Sequence, residues 1–310
     1  MTLSATPTAS PAAADSHPDR RPDRRRKRIR RSAIGAGRQN HAGPITYVVL
    51  IFAALVSLFP LYWTVVAASR TDTEIVQPPT PLLPGSHLFQ NLNETWNDVR
   101  MGDALLNSAI VASCVALSTV LFATLAGFAF AKLRFSGRNA LLAVVVATMT
   151  IPPQLSVIPL YQMITKLQWG DKLQAVILPS LVAAFGVFFM RQFLVEALPL
   201  ELIEAARVDG ANSMRVIWHV VFPVARPAMA VLGMLVFVQS WNDFFWPYIA
   251  LSPKNPTVQV ALAGLGAGNH TTDHAVILTG ALVATLPLLL VFAVLGKHIV
   301  GGITAGAVKS

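Results

Sequence analysis

Six apolar runs, each long enough to cross a bilayer, leave this chain one place to fold. They lie at about 45–68, 106–131, 140–161, 173–190, 227–251 and 275–295. A spanning helix needs about 20 mostly apolar residues. A buried core helix is the alternative for each short run. Six such runs in one chain, with few charges between them, exclude that alternative. The composition agrees. The 310 residues are 54% hydrophobic and 13% charged, against roughly 25% charged in an average soluble domain. That is too little polar surface for a soluble globule and far too much apolar content for a disordered chain. The expected fold is an all-α integral membrane protein of six transmembrane helices.

Prolines fall inside several runs: Pro60, Pro152, Pro153, Pro159, Pro179 and Pro287. Each removes a backbone donor and crowds the preceding turn, so kinks are expected there. The single cysteine, Cys114, excludes a disulfide framework and a Cys-based cluster, and is expected to pack inside the second run.

Charge is concentrated at one end. Residues 1–44 hold ten basic residues (Arg20, Arg21, Arg24, Arg25, Arg26, Lys27, Arg28, Arg30, Arg31, Arg38) and three acids, so most of the net +9 lies there. The first 19 residues, rich in Ala, Ser, Thr and Pro, are expected to be disordered. The basic run reads as a solvated cytoplasmic tail or as a contact for anionic lipid; nucleic acid is not an expected partner. No secretory signal fits, because the following apolar run is about twice the length of a signal core.

Loop charges give the orientation. With the N-terminus inside, the inner segments carry the tail's ten cations together with Lys132, Arg134, Arg138, Arg191, Arg207, Arg215, Arg226, Lys297 and Lys309. The outer segments carry Arg70, Arg100, Lys166, Lys172 and Lys254. The asymmetry places both termini in the cytoplasm.

The longest inner loop, about 191–226, reads RQFLVEALPLELIEAARVDGANSMRVIWHVVFPVAR. Pro199 suits a helix start, with Glu201 near the positive end of the dipole. Ala205 and Ala206 keep one face small. Asp209-Gly210 is a turn signal, and Asn212 is placed to cap a second helix through Met214, Ile217, Trp218 and Val221. Phe222-Pro223 is expected to stop it. Two short helices joined at a glycine suit docking on a soluble partner; a plain connecting loop is the competing reading.

The string Glu204-Ala205-Ala206-Arg207-Val208-Asp209-Gly210-Ala211, followed by Phe222-Pro223, resembles the EAA signature of binding-protein-dependent ABC importer permeases. Phe222 stands where Leu is usual in that family. Ser240-Trp241-Asn242-Asp243-Phe244 resembles a segment of sugar-importer permeases. The ending Gly301-Gly302-Ile303-Thr304-Ala305-Gly306-Ala307-Val308-Lys309 resembles that of the maltose-type second permease subunit. The resemblance covers about 45–310 and implies a type I ABC importer permease. That architecture has six spans and a coupling-helix loop between the fourth and fifth, in the bacterial cytoplasmic membrane.

The resemblance further implies that Glu204, Ala205 and Ala206 meet an ATPase and that Gly210 makes the turn, with Asp209 beside it. Two local readings stay open: Glu204 can pair with Arg207 at i,i+3, and Asp209 can bond its own turn. Asp243 is the one acid well inside an expected span, where an ionisable group must face a cavity or a partner. Trp241, Asn242 and Asp243 therefore either meet solute on the translocation path or hold the bundle by helix–helix hydrogen bonds.

The resemblance implies three partners: a second homologous permease in a heterodimer, a cytoplasmic ABC ATPase dimer and an extracytoplasmic sugar-binding protein. No cofactor is expected on this chain, because it lacks G-x-x-x-x-G-K-[ST] and ATP would be bound by the partner ATPase. No catalytic arrangement appears in any loop, so no enzymatic activity is expected. His270 and His274 stand at i,i+4, but no metal site is expected in that loop. The leading function is carbohydrate import. The alternatives are an ABC permease for a polyol or glycerophosphodiester, an ion-gradient secondary transporter, and a scaffold using the basic tail.

Overall fold

A computed structural model of the chain describes residues 43–265 and 273–307. The expectations for the basic tail, for the loop at 266–272 with His270, and for the C-terminal side chains beyond 300 lie outside the described residues. The chain divides into two units, one ending at Ala54 and the other beginning at Leu55.

Every described element is helical. The helix α1 runs Pro44–Ala68, and α2 (Asp72–Val76) and α3 (Leu88–Asp98) follow it. Next come α4 (Met101–Lys132), α5 (Arg138–Thr148) and α6 (Val157–Lys166). The helices α7 (Gln174–Ile177) and α8 (Ala184–Ala197) are joined by a short 3₁₀ turn at Leu178–Ser180. The segment after α8 holds α9 (Leu200–Val208) and α10 (Ser213–Val216). Then come α11 (Phe222–Trp241), α12 (Phe245–Ala250), α13 (Val258–Leu265) and α14 (His274–Ala307). Five stretches are long and apolar enough to cross a membrane, and a sixth exists if the bent pair Arg138–Thr148 and Pro153–Lys166 is one span. Helices suit this setting because each satisfies its own backbone where no water can.

The centre of the main unit is α4, packed against α8 and α11. Small residues let these helices approach. A Cβ on Gly127 would lie 2.8 Å from the Arg191 backbone nitrogen and 2.8 Å from the Met190 Cβ. One on Gly186 would lie 3.1 Å from the Ala123 Cβ. Thr119, Ala123 and Gly127 thus form a stripe at i,i+4 spacing, the arrangement that allows close van der Waals packing between spans. Val187, Met190, Leu194 and Leu232 fill the core around it.

Polar side chains stitch the irregular segments to the helices. Asn107 Nδ2 donates to Asn255 Oδ1 and to the Pro256 carbonyl, both at 2.9 Å. Ser108 Oγ accepts from the Val258 N–H at 2.8 Å. Non-helical backbone between α12 and α13 is tolerated because protein groups satisfy it.

The structure corrects four expectations. The third run, expected as one span at 140–161, breaks after Thr148 and turns by 92°. Pro152 and Pro153 sit at this break; a proline keeps its predecessor out of the helical region. Pro60 and Pro287, by contrast, lie within helices that continue through them.

The fifth run, expected at 227–251, divides into α11 and α12 at residues 242–244. Phe222-Pro223 does not stop the second coupling helix. A π-helical turn at Ile217–Val221 leads directly into α11. Pro223 supplies no N–H to the turn before it, and the wider π turn shifts the register there. Cys114 is exposed rather than packed.

Candidate functional site

The first candidate site is the segment from α9 to α11. Pro199 is the N-cap of α9, with Glu201 in the first turn. Ile203, Leu198 and Val216 are buried in the core, so one face of α9 is anchored. The helix then ends in a Schellman motif. The Ala211 N–H donates to the Ala206 carbonyl at 2.9 Å, and the Gly210 N–H donates to the Arg207 carbonyl at 3.0 Å. The motif needs a left-handed residue, and Gly210 supplies it with φ +77°. Asn212 Oδ1 then accepts from the Arg215 N–H at 2.8 Å and caps α10.

This geometry leaves Glu204, Ala205, Asp209 and Gly210 exposed together, with Ala206 half-buried. Val208 is 88% exposed, Met214 60% and Trp218 56%. Small and apolar groups therefore share a rigid turn with two acidic residues, Glu204 and Asp209. Glu204 and Arg207 are not among the ion pairs of the described residues, which are Arg70–Glu74, Arg100–Asp103 and Asp72–His274. Sequence reasoning missed the split of the second helix into a buried side at Val216 and Val221 and an exposed side at Met214 and Trp218. The spacing was readable, but which side faced the bundle was not.

The second candidate site is a cavity of about 540 Å³ where α11 ends. Thr119, Gln154, Ser156, Ser180, Gln239, Ser240 and Asp243 supply its polar lining, and Val115, Leu160 and Trp246 part of the apolar remainder. Gln154 and Ser156 come from the 3₁₀ turn (Pro153–Ser156) that follows the 92° bend. The Pro-Pro pair was the only signal for their position.

The trio Trp241, Asn242 and Asp243 diverges here. Trp241 is buried, and its Nε1 donates to the Ala284 carbonyl at 3.2 Å. Asn242 is exposed. Its Nδ2 donates to the Val238 carbonyl at 2.8 Å, and its Oδ1 accepts from Gln259 at 3.4 Å. Of the three, Asp243 alone lines the cavity. Trp246 fixes that wall, donating from Nε1 to the Ala175 carbonyl at 3.0 Å.

His274 Nδ1 lies 3.0 Å from Asp72 Oδ1. Among the described residues no three His, Cys, Asp or Glu side chains group in a way that suits a metal ion.

Residues 119–304 match the family described as "Binding-protein-dependent transport system inner membrane component". Curated relatives include sn-glycerol-3-phosphate transport system permease proteins UgpE. The one from Yersinia enterocolitica is 35% identical over 225 residues, covering 71% of this chain and 79% of its own length. That from Pectobacterium atrosepticum is 32% identical over 268 residues, covering 83% and 94%. Among solved structures, the fold is shared with a chain from a bacterial ABC transporter involved in the import of the acidic polysaccharide alginate. That match has a TM-score of 0.70 and 22% identity, and covers 82% of this chain and 94% of the other.

Proposed function

The chain belongs to the family of binding-protein-dependent transport system inner membrane components, and from that premise we propose that it forms one half of the translocation pathway of an ATP-driven carbohydrate importer. The partners in this reading are a second, homologous permease, a cytoplasmic ATPase dimer and an extracytoplasmic binding protein. Both termini lie in the cytoplasm, as the loop charges favour.

The observation that carries the reading is the α9–Gly210–α10 turn. A helix tied to the core by Ile203 and closed by a Schellman motif is a stiff handle. Glu204, Ala205 and Ala206 are the ATPase-facing residues, with Asp209 and Gly210 holding the turn. Small side chains permit close approach, and Met214 and Trp218 add apolar contact. Because α10 continues through the π turn into α11, a push on the turn is transmitted along a spanning helix. Closure of the ATPases on ATP thereby biases the bundle between inward and outward forms. Asp243 faces the solute path. Trp241 and Asn242 adjoin that path and hold the backbone that shapes it.

A second reading is favoured by the relatives, which are named as sn-glycerol-3-phosphate permeases. Here the same machine carries a glycerol phosphate or its diester.

The test is uptake into proteoliposomes holding the full importer, with maltose and sn-glycerol 3-phosphate as separate probes. ATP-dependent maltose entry supports the first reading, and sn-glycerol 3-phosphate entry supports the second. Entry that persists without any ATPase refutes both.

A further inference from the structure

We propose that the cavity beside Asp243 admits uncharged polyhydroxyl solutes and excludes phosphate esters, with Asp243 setting the sign of the selection. The inference rests on the reading above that this cavity lies on the solute path.

The lining has the chemistry of a hydroxyl binder. Thr119, Ser156 and Ser240 offer hydroxyls, and Gln154 and Gln239 offer amides that donate and accept. Such groups match the hydroxyls of a sugar or polyol. None of the described residues lining the cavity is Arg, Lys or His. Side-chain recognition of a phosphate draws on guanidinium or ammonium groups.

Asp243 instead adds a carboxylate to the lining. A cavity of about 540 Å³ is within the usual size range for small-molecule sites, so volume does not discriminate and charge does. The selection separates this chain from what its glycerol-phosphate relatives are named for.

The test probes the charge directly. Cys114 is the one cysteine, so a C114S background permits a single reporter thiol at S240C on the cavity wall. The full importer is treated with a cationic reagent, trimethylammonium-ethyl methanethiosulfonate, and with an anionic one, sulfonatoethyl methanethiosulfonate. Each rate is divided by that of a free thiol in solution. With Asp243 present, the cationic-to-anionic ratio is expected to be about 25- to 100-fold, because one charge at roughly 7 Å with an effective dielectric constant near 40 speeds the cation and slows the anion by about five- to tenfold each. In D243N the ratio is expected to fall to about one.

A ratio that does not change between Asp243 and D243N overturns the charge inference alone. An S240C thiol that never reacts, or reacts without reducing ATP-driven uptake, overturns the path reading beneath it. Both proteins are compared at equal yield of assembled complex, so misfolding is scored separately.

Discussion

The indole N–H of Trp241 donates to the carbonyl oxygen of Ala284 at 3.2 Å, fastening the end of α11 to α14 across 43 residues of sequence. Phe237 stacks on the same indole, with centroids 5.8 Å apart and planes 20° from parallel. The pin lies directly beside the break at 242–244, so the point where α11 stops is held in place while Asp243 turns into the cavity. A residue that sequence alone could assign to solute or to packing holds the wall on which the cavity residue stands.

Trp241→Phe keeps most of the buried ring and loses the hydrogen bond, and is expected to cost about 1 kcal/mol. Trp241→Ala also opens a cavity and is expected to cost about 3–5 kcal/mol. Thermal unfolding of the detergent-purified complex should rank wild type above Phe and Phe well above Ala. An Ala midpoint equal to that of wild type would show that the indole does not hold the helix end.

Gly210 has open space around its Cα but a φ of +77°. A β-branched residue there is strained by roughly 1–2 kcal/mol whatever the space available. Gly210→Val is expected to lower ATP-driven uptake more than tenfold while the complex still assembles. Gly210→Asn, which tolerates the left-handed region better, should retain most of the uptake. Native gel analysis and uptake on the same preparations check this pair, and undiminished transport in the Val variant refutes the coupling role.

Gly127 has no such freedom of space, since a Cβ would meet backbone at 2.8 Å. Gly127→Ala must push α4 and α8 apart, and overpacking of this kind costs about 1–3 kcal/mol. The expected result is a lower membrane level of the protein and a lower unfolding midpoint. Gly137→Ala, where nothing lies within 4 Å but φ is +78°, should leave the α4–α8 contact intact and act only through local strain.

The short helix α2 carries a capping box. The Thr71 N–H donates to Glu74 Oε2 at 3.0 Å, and Arg70 Nη1 lies 3.2 Å from Glu74 Oε1. The Thr71 backbone bond first, then the Thr71 hydroxyl and Arg70, holds the Glu74 carboxyl below its ordinary value of 4.5. A depressed value means that the contribution is complete above 4.5 and is lost as pH falls through the folded value. Hydrogen exchange at residues 74–77, corrected for intrinsic rates, should show constant protection from neutral pH to about 5 and weaker protection below it. In Glu74→Gln the protection should no longer depend on pH.

Much of the fold was legible because its signal is local. Apolar runs of about 20 residues declare spanning helices by length alone, and Asp209-Gly210 followed by Asn212 declares a helix stop and a restart. The structure gives these last residues the Schellman motif and the cap that their types favour. Two of the errors share one cause. The Pro152-Pro153 break and the split of the fifth run at 242–244 lie inside apolar stretches, where hydropathy cannot mark a change of direction; the π turn before Pro223 lies in the inner loop, where a proline reads equally as a stop or as the first turn of the next helix.

The sequence by itself determined that the chain is a bundle of membrane helices and where its rigid turn lies, because burial in lipid and left-handed backbone each demand particular residue types at particular positions. Only the tertiary structure decided the sides: that Trp241 faces α14, Asn242 the Gln259 side chain and Asp243 the cavity. Those three residues are consecutive, and at the end of a helix a few degrees of backbone rotation send neighbouring side chains to different partners. That rotation is fixed by contacts with Ala284, Val238 and Gln259, and two of these three lie outside α11.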